Sequence, residues 1–422
     1  MAHPLVPPEA PAPEVRTPRL RNTLDVLEAL QRQPSITPLE LATATRLSRS
    51  TIAAIIRQLT AQRLIEPDPS PTVPRGLNGG RPASHLRLRP DAAVALSIDI
   101  GLEHVCVALG NLAGLTTAPV SCSDVTGDAP AFLEKAVTLV QELMGGEVAP
   151  QDLIGVCVGL PAPIDQERGK IASTAGIDSW TGIRPADELR YRLGPSWQGV
   201  PFILENDANL VALAELSSGS PSVAPRPCQD VVLVVKWSDG LGGALLVDGE
   251  LFTGDRGLAF ELGHTQVSNP PPYATTPCDR CGHICLESVA GGAALAASVS
   301  NSHKAFTFGD LVLRAVGEDG PERDVLRDAA KLIGEALGRY VTMLNPRLIV
   351  ISGRYFGDPP DDVAAYRIIV DPLREGMRST GFPIALEDVD IAIGKSPAFA
   401  AAEGGIVATL RRLLPSHLEQ RV

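Results

Sequence analysis

The first ninety residues show the hydrophobic spacing of short helices. Leucines recur every three or four positions between Leu20 and Leu30, which predicts a helix with one apolar face that ends near Pro34. A second short helix is predicted over residues 38–45. Its inward side chains are expected to be Leu39, Leu41 and Ala42.

A third helix is predicted after a tight turn at residues 46–48, with Ser48 or Ser50 as its N-cap. Its inward side chains are expected to be Ile52, Ile55, Ile56 and Leu59. Two short helices joined by such a turn form a helix-turn-helix. The outward positions carry hydroxyls and arginine, which offer hydrogen bonds to base edges and phosphates. The candidate DNA contacts on this helix are Ser48, Arg49, Ser50, Thr51 and Arg57.

A wing is predicted after the third helix. Residues 64–65 and 86–88 have the character of two short strands. The loop between them carries GGRP at 79–82, which suits insertion of Arg81 into a minor groove of DNA. Two alternatives stay open: the loop could be a flexible linker, and the three helices could be a module that docks on protein.

The body of the chain alternates buried strands with helices. Apolar runs at 93–100, 104–110 and 153–158 predict strands, and the periodic segment 129–143 predicts a helix. The pattern begins again near residue 230 with an apolar strand, a glycine-rich turn and another strand. This weak repeat predicts an α/β architecture of two similar lobes that face a shared cleft.

Charge separates the head from the body. Residues 1–90 contain 12 arginines, no lysine and seven acidic residues, a net charge of +5, whereas the whole chain carries -12. A basic head on an acidic body predicts that only the head meets a polyanion. The predicted domains are a disordered, proline-rich arm at 1–16, a winged helix-turn-helix at 17–90, and the two-lobed body at 91–422.

The compartment can also be predicted. No run of 18 apolar residues occurs, so no membrane span is expected, and the first residues lack the basic and apolar regions of a signal peptide. The seven cysteines are not spread as in a disulfide framework. These features favour the reducing cytoplasm.

One stretch of the body holds four residues with the chemistry of metal ligands. His264 is followed by Cys278, Cys281 and Cys285 at C-x2-C-x3-C spacing. Three thiolates and one imidazole complete a tetrahedral shell, which predicts a structural rather than a catalytic zinc ion. His283 could replace one ligand, and a reduced loop without metal is the alternative.

Two carboxylates flank these ligands. Glu261 precedes His264 by three residues, and Glu287 follows Cys285 by two. A metal that holds all four ligands would also hold both carboxylates close together. Paired carboxylates are good acceptors for the hydroxyls of a sugar.

These motifs resemble those of the ROK family (repressor, open reading frame, kinase). In the head the resemblance lies in the segment LSRSTI and in the GGRP loop. In the body it lies in GVCVGLPAP at 155–163, ENDAN at 205–209, ELGH at 261–264 and CLE at 285–287. The resemblance extends from residue 17 to about residue 415. It implies a winged helix-turn-helix followed by the two-lobed, actin-like ATPase fold of sugar kinases.

The resemblance also implies roles for single residues. In a ROK kinase Asn206 would orient sugar hydroxyls, and Asp207 would take the proton from the hydroxyl that is phosphorylated. Glu261, His264 and Glu287 correspond to sugar contacts, and His264 also to a zinc ligand. The family's usual cysteine run is C-x-C-G-x2-G-C, whereas this chain has C-x2-C-G-x2-C over the same span. Taken alone, the ENDAN segment is also explained as a polar helix cap.

Three segments that would face a nucleotide depart from the family pattern. The first phosphate turn of the family is D-x-G-G-T, but residues 99–103 read DIGLE. The second is G-T-G-x-G, but residues 238–242 read SDGLG, and IVISG at 349–353 keeps only part of a late glycine run. The leucine in the first turn would block the approach of backbone amides to phosphate. The acidic residue in each turn would repel a triphosphate.

The sequence therefore predicts a transcriptional regulator, in the first place a repressor, that binds operator DNA and responds to a sugar or sugar phosphate. A homodimer or a dimer of dimers is expected, and Asp207 would be a vestige of catalysis. An active ATP-dependent sugar kinase with a DNA-binding head is the second hypothesis, since Asp207 is intact. A regulator that answers to a partner protein is the third.

Overall fold

The computed structural model describes most of the chain, in several segments. They are residues 17–69, 85–89, 91–115, 117–123, 125–145, 148–174, 177–218, 230–274, 276–299, 306–317, 319–353, 355, 363–394 and 399–420. The predicted arm at 1–16 and the predicted GGRP loop with Arg81 lie outside the described residues.

The head is a winged helix-turn-helix. Its elements are α1 (Pro18–Arg32), α2 (Pro38–Thr45), α3 (Arg49–Ala61), β1 (Ile65–Pro67) and β2 (Leu86–Leu88). Pro38 stands at the first turn of α2, where its missing N–H costs no hydrogen bond, and Thr37 and Glu40 form a capping box there. The two wing strands pair antiparallel with Ile65 opposite Leu88. The predicted helices and wing strands are thereby confirmed.

One predicted core position in the head is wrong. Leu39 is 56% exposed, whereas Leu41 is fully buried. The two residues are separated by about 200° around the helix axis, so both cannot face the same core. Ile56, expected inward on α3, is half-buried at the edge of the core.

The first lobe of the body is built on a mixed sheet. Its elements are β3 (Val94–Ile100), β4 (His104–Asn111), β5 (Gly114–Leu115), β6 (Val120–Ser123), α4 (Ala129–Met144), β7 (Leu153–Leu160), β8 (Ile164–Asp165), β9 (Lys170–Ile171), α5 (Pro185–Leu193) and β10 (Phe202–Asn206). The strand order is β10-β7-β3-β4-β5, with β6 also on β4, and the strands β10, β7 and β3 are parallel. All eight residues of β7 are buried, as expected for a strand covered on both faces.

The second lobe repeats this plan. Its elements are α6 (Asp207–Ser217), β11 (Val231–Trp237), β12 (Leu241–Val247), β13 (Glu250–Leu251), α7 (Leu286–Ala290), α8 (Gly292–Val299), α9 (Phe308–Gly317), α10 (Pro321–Leu344), β14 (Leu348–Ser352), α11 (Val363–Thr380), α12 (Pro383–Leu386) and β15 (Asp390–Ile393). The sheet order is β13-β12-β11-β14-β15. In each lobe a hairpin and following parallel strands form the sheet, so the repeat seen in the sequence is real.

The last helix, α13 (Ala400–Gln420), returns to the first lobe. It packs against α6 and across β3, β4 and β7. Gly404 makes this crossing possible, since a Cβ built on it would lie 1.8 Å from the carbonyl oxygen of Leu210.

The head and the body share one hydrophobic core, which we call the shared core. Its body members are Ala92, Ala93, Ala95, Leu112, Ile154, Ile406, Leu410, Leu414 and Leu418. Two hydrogen bonds reinforce the contact: Gln62 donates to the Leu418 carbonyl at 2.9 Å, and Gln31 donates to the Leu112 carbonyl at 2.8 Å. The C-terminal half of α13 is therefore part of the support on which the head rests.

Among the described residues, none of the helices combines the length and the apolar character needed to cross a bilayer.

Candidate functional site

The four predicted metal ligands lie together. The ligand atoms of His264, Cys278, Cys281 and Cys285 are all within 4.8 Å of one another. His264 Nδ1 is 3.8 Å from Cys278 Sγ and 3.9 Å from Cys285 Sγ. A tetrahedral zinc ion with ordinary Zn–S and Zn–N bonds separates such atoms by about 3.6 Å, so the donor set fits this ion. His283 is exposed and outside this group.

Local backbone pairing brings the two halves of this group together. The Val267 N–H donates to the Ile284 carbonyl at 3.0 Å, and Gln266 forms a β-bridge with Cys285. A single turn of 3-10 helix, Leu262–His264, separates Glu261 from the bridge. This pairing places the ELGH and CLE motifs side by side.

The two carboxylates beside the metal group are half-buried. Glu287, in the first turn of α7, accepts a hydrogen bond from the Leu241 N–H at 2.6 Å, which ties it to the glycine-rich turn after β11. Burial raises the pKa of the Glu287 carboxyl, with the Leu241 N–H opposing the rise. Burial also raises the pKa of Glu261, with the charge of Arg280 opposing it.

Asp207 is paired with a lysine. Asp207 is 7% exposed at the start of α6, and its Oδ2 accepts a hydrogen bond from Lys236 Nζ at 2.5 Å. Burial lowers the pKa of Lys236, but the charge of Asp207, aided by those of Asp99 and Glu287, outweighs this effect and raises it overall. The lysine is therefore a cation held among three carboxylates from both lobes.

Asn206 is the N-cap of α6. Its Oδ1 accepts hydrogen bonds from the N–H groups of Ala208 at 2.9 Å and Asn209 at 3.3 Å, and its Nδ2 donates to the Ala162 carbonyl at 3.1 Å. The interpretation of the ENDAN segment as a polar cap therefore holds for this side chain. A role in sugar binding would have to use its second Nδ2–H donor, because Oδ1 already accepts two hydrogen bonds.

The first phosphate-turn segment is occupied by a side chain of this protein. His104 Nε2 lies 3.2 Å from Asp99 Oδ2, and a Cβ on Gly101 would lie 2.0 Å from the imidazole. The His104 ring therefore lies directly against the backbone of the turn. Leu102 is 41% exposed beside it.

The backbone of the second phosphate-turn segment is hydrogen-bonded to a neighbouring segment of the protein. The Ser238 carbonyl accepts from the Gly292 N–H at 3.0 Å, and the Asp239 carbonyl accepts from the Ala293 N–H at 2.8 Å. The Asp239 side chain accepts from the Tyr355 hydroxyl at 3.4 Å. These bonds fix the turn against the start of α8.

The candidate DNA-binding surface is the exposed end of α3. Ser48 is the N-cap of this helix and accepts a hydrogen bond from the Thr51 N–H at 3.1 Å. Ser48, Arg49, Ser50 and Arg57 are exposed, whereas Thr51 is half-buried. The structure thus places the predicted polar residues on one open surface.

Three functional candidates were not found from the sequence. Lys236 is the charged residue in an otherwise apolar strand, VVLVVKW, and that position was the available signal. Arg280 lies between two metal ligands and donates to the Pro161 carbonyl at 2.9 Å, which joins the lobes. Arg412 of α13 donates to Glu205 at 2.7 Å beside the ENDAN motif, at a separation of 207 residues.

Comparison with known proteins identifies the family. A model described as winged helix-turn-helix DNA-binding matches residues 19–66. A second model, described as the ROK family, matches residues 95–357, which is more than half of the chain. The chain belongs to the ROK family. The predicted fold, a winged helix-turn-helix before an actin-like sugar-kinase body, is confirmed for this ROK chain.

Individual relatives differ in how much of this ROK chain they match. A xylose repressor of Caldicellulosiruptor bescii is 21% identical over 418 residues, 93% of this chain and 96% of the relative. A glucokinase of Halalkalibacterium halodurans is 27% identical over 276 residues, 61% of this chain and 79% of the relative. The structure of a ROK family transcriptional regulator, a homologue of the E. coli MLC protein, matches with a TM-score of 0.69 at 21% identity, and covers 96% of this chain and 98% of that one.

Proposed function

We propose that this ROK chain is a transcriptional regulator, in the first place a repressor, whose head binds operator DNA and whose cleft binds a sugar. The observation that carries the proposal is the shared core, which joins a head with an exposed, polar α3 to a sugar-kinase-like body. The relative named a xylose repressor extends over both parts, whereas the relative named a glucokinase covers 61% of this chain. The cytoplasm is the corresponding compartment.

The DNA side of the proposal rests on α3. Hydroxyls and guanidinium groups at the start of a recognition helix reach base edges, and a wing supports them from the side. The proposed contacts are Ser48, Arg49, Ser50, Thr51 and Arg57, with Arg81 in the wing. Two heads on a homodimer, or on a dimer of dimers, would read two half-sites of one operator.

The sugar side rests on the carboxylates of the cleft. Glu261, Glu287 and Asp207 lie close enough for their charges to interact. Carboxylates in such an arrangement accept hydrogen bonds from several hydroxyls of one ring. The proposed sugar contacts are Asn206, Asp207, Glu261, His264 and Glu287. Closure of the lobes on the ring would then move the support of the head.

A structural zinc ion belongs to the proposal. The donors of His264, Cys278, Cys281 and Cys285 fit a closed tetrahedral shell, with no position left for a substrate. An ion there would add a rigid link between the segments that carry Glu261 and Glu287. Its role is to order the sugar site, not to take part in a reaction.

The absence of kinase activity is proposed from the Lys236–Asp207 pair. A general base must be free to accept a proton from the sugar hydroxyl. The Asp207 carboxylate already holds the Lys236 cation on one oxygen at 2.5 Å, so only its other oxygen can accept that proton. His104 lies over the first turn, and in the second turn the Ser238 and Leu241 N–H groups already donate to the Gly240 carbonyl and to Glu287, so both turns disfavour a nucleotide triphosphate.

We therefore expect no appreciable phosphorylation of sugars. The measurement is ATP consumption with a panel of hexoses, pentoses and amino sugars, with a true glucokinase as the positive control. Turnover on the order of 1 s⁻¹ or more, which is ordinary for an enzyme, would favour the alternative of an active kinase with a DNA-binding head.

The regulator proposal is tested by selection of DNA from a random pool with the full chain. Enrichment of a defined sequence, and its release by one sugar of a panel, is the expected result. Recovery of unenriched DNA at every round would contradict a sequence-specific regulator. If a sequence is enriched but no sugar releases it, the head binds DNA as proposed. A sugar is then not the effector.

Replacing Arg49 with alanine should weaken binding to the selected operator by roughly 5- to 150-fold, the range for loss of one good base contact. Sugar affinity should not change, because Arg49 is exposed on the head. Fluorescence anisotropy with labelled operator measures the first quantity and calorimetry the second. Arg32→Ala, an exposed arginine paired with Glu28 on α1, is the matched control. Equal effects of the two changes would show that α3 is not the reading helix.

A further inference from the structure

A basic cavity adjoins the proposed sugar site. It has a volume of about 410 Å³, and its wall includes Glu261 and His264 together with four cationic side chains. These cations are Arg168, Lys170, Arg256 and Arg280. Asp207 and Lys236 are not among the residues that line it.

The charge of this cavity is unusual for the body that contains it. Residues 91–422 carry 25 basic and 42 acidic residues, yet four cations meet two carboxylates here, Asp165 and Glu261. Asp165 is paired with Arg168 at 3.1 Å. Among the residues that the structure describes, neither Arg256 nor Arg280 lies within 4.0 Å of a carboxylate. Excess positive charge is therefore left facing the cavity.

The cations come from both lobes. Arg168 and Lys170 belong to the β8–β9 hairpin of the first lobe, while Arg256 and Arg280 lie on loops of the second. The lobes are in close contact here: a Cβ on Gly257 would lie 2.3 Å from the Ile164 carbonyl oxygen. An anion in the cavity would thus interact with both lobes and favour their closed arrangement.

We infer that the effector is an anionic sugar, whose carboxylate or phosphate group occupies the basic cavity while its ring lies on Glu261 and His264. This inference rests on the proposed sugar-sensing function and names the chemical class of its ligand. Because Asp207 is absent from the cavity wall, the anionic group is attached at a ring position other than the hydroxyl that faces Asp207. Cations in excess over carboxylates are what such a group requires for charge-assisted hydrogen bonds.

The test is calorimetry on the full chain with matched sugars. Glucose, galactose, mannose and N-acetylglucosamine are each compared with their 1-phosphate, 6-phosphate and uronic acid. At least one anionic sugar should bind tenfold or more tightly than its neutral parent, and this gain should shrink as salt is raised. The phosphate and carboxylate members of the panel distinguish the two sources of charge. Inorganic phosphate alone serves as the probe without a ring.

Two single substitutions test whether the cations of the cavity bind the anionic group of the sugar. Arg256→Ala and Lys170→Ala should each weaken the anionic sugar roughly tenfold or more and the neutral parent by less than about twofold. Both residues are exposed, so the fold should be kept. Arg327→Ala, an exposed arginine on α10, is the control and should change neither affinity.

The outcomes separate this inference from the proposed function. Neutral sugars that bind as tightly as their anionic forms, with no effect of Arg256→Ala, would overturn the inference and leave sugar sensing in place. Inorganic phosphate that binds as tightly as any sugar phosphate would overturn it too, since the ring would then contribute nothing. No binding by any member of the panel would contradict sugar sensing and the inference together.

Discussion

A protein with serine in place of Cys281 should lose its metal and, with it, roughly 10- to 100-fold in sugar affinity, the range by which metal affinity or activity falls when a group that supports a metal ligand is removed. The reason is geometric. The Cys281 thiolate would be one of four donors that hold the loop carrying Arg280 against the segments of Glu261 and Glu287. Metal content by atomic emission and sugar affinity by calorimetry are measured on the same preparation.

The matched control for this change is Cys122→Ser. Cys122 is a half-buried free thiol on β6, outside the metal group. It should keep full metal content and full sugar affinity. If the Cys281 variant lost zinc but bound sugar as the parent does, the β-bridge between Gln266 and Cys285 would be sufficient to order the site. The ion would then stabilise only the surface loop.

Replacing Arg412 with alanine should lower the free energy of unfolding by about 3 kcal/mol, since it leaves a buried carboxylate without its cation. Glu205 is 1% exposed and accepts from Arg412 at 2.7 Å and from Gln166 at 2.6 Å. Its other oxygen accepts from the Asn209 side chain at 2.8 Å, inside the ENDAN motif. Sugar-dependent release of operator should weaken as well, because this pair joins the motif to α13. Chemical denaturation and operator titration with and without sugar measure the two effects.

Arg411, the residue next to Arg412 in the chain, provides the control for this substitution. Arg411 pairs with the exposed Glu250 at 3.2 Å, and Arg411→Ala should cost less than about 1 kcal/mol. Combining Arg412→Gln with Glu205→Gln should recover much of the loss, because no unpaired charge is then buried. If Arg411→Ala and Arg412→Ala destabilised the protein equally, burial of Glu205 would not increase the contribution of the Arg412–Glu205 pair to stability.

The head was predictable almost element by element. Its three helices bury aliphatic side chains at helical spacing, and proline or a hydroxyl residue marks each helix start, so local signals agree with the fold. The error at Leu39 arose because apolar character alone does not say which face of a short helix a residue occupies. The four metal ligands were also found from spacing, since they lie within 22 residues and the donor types are distinctive.

What the sequence could not reveal depends on contacts between distant segments. The pairing of Lys236 with Asp207 needs the relative positions of β11 and α6, which no local pattern determines. The basic cavity assembles one hairpin and two loops from different lobes. The sugar-binding role of Asn206 stays a prediction, and its capping hydrogen bonds became visible only once α6 and the loop at Ala162 were placed.

The shared core also limits how such a regulator can exchange its parts during evolution. A recombination event at the junction near residue 90 would bring a new head onto Leu410, Leu414 and Leu418, which are shaped for the present one. A working chimera would therefore need a second crossover late in the chain, so that the incoming head arrives with the last turns of its own C-terminal helix. Homologous heads and C-terminal helices should accordingly change together, although they lie far apart along the chain.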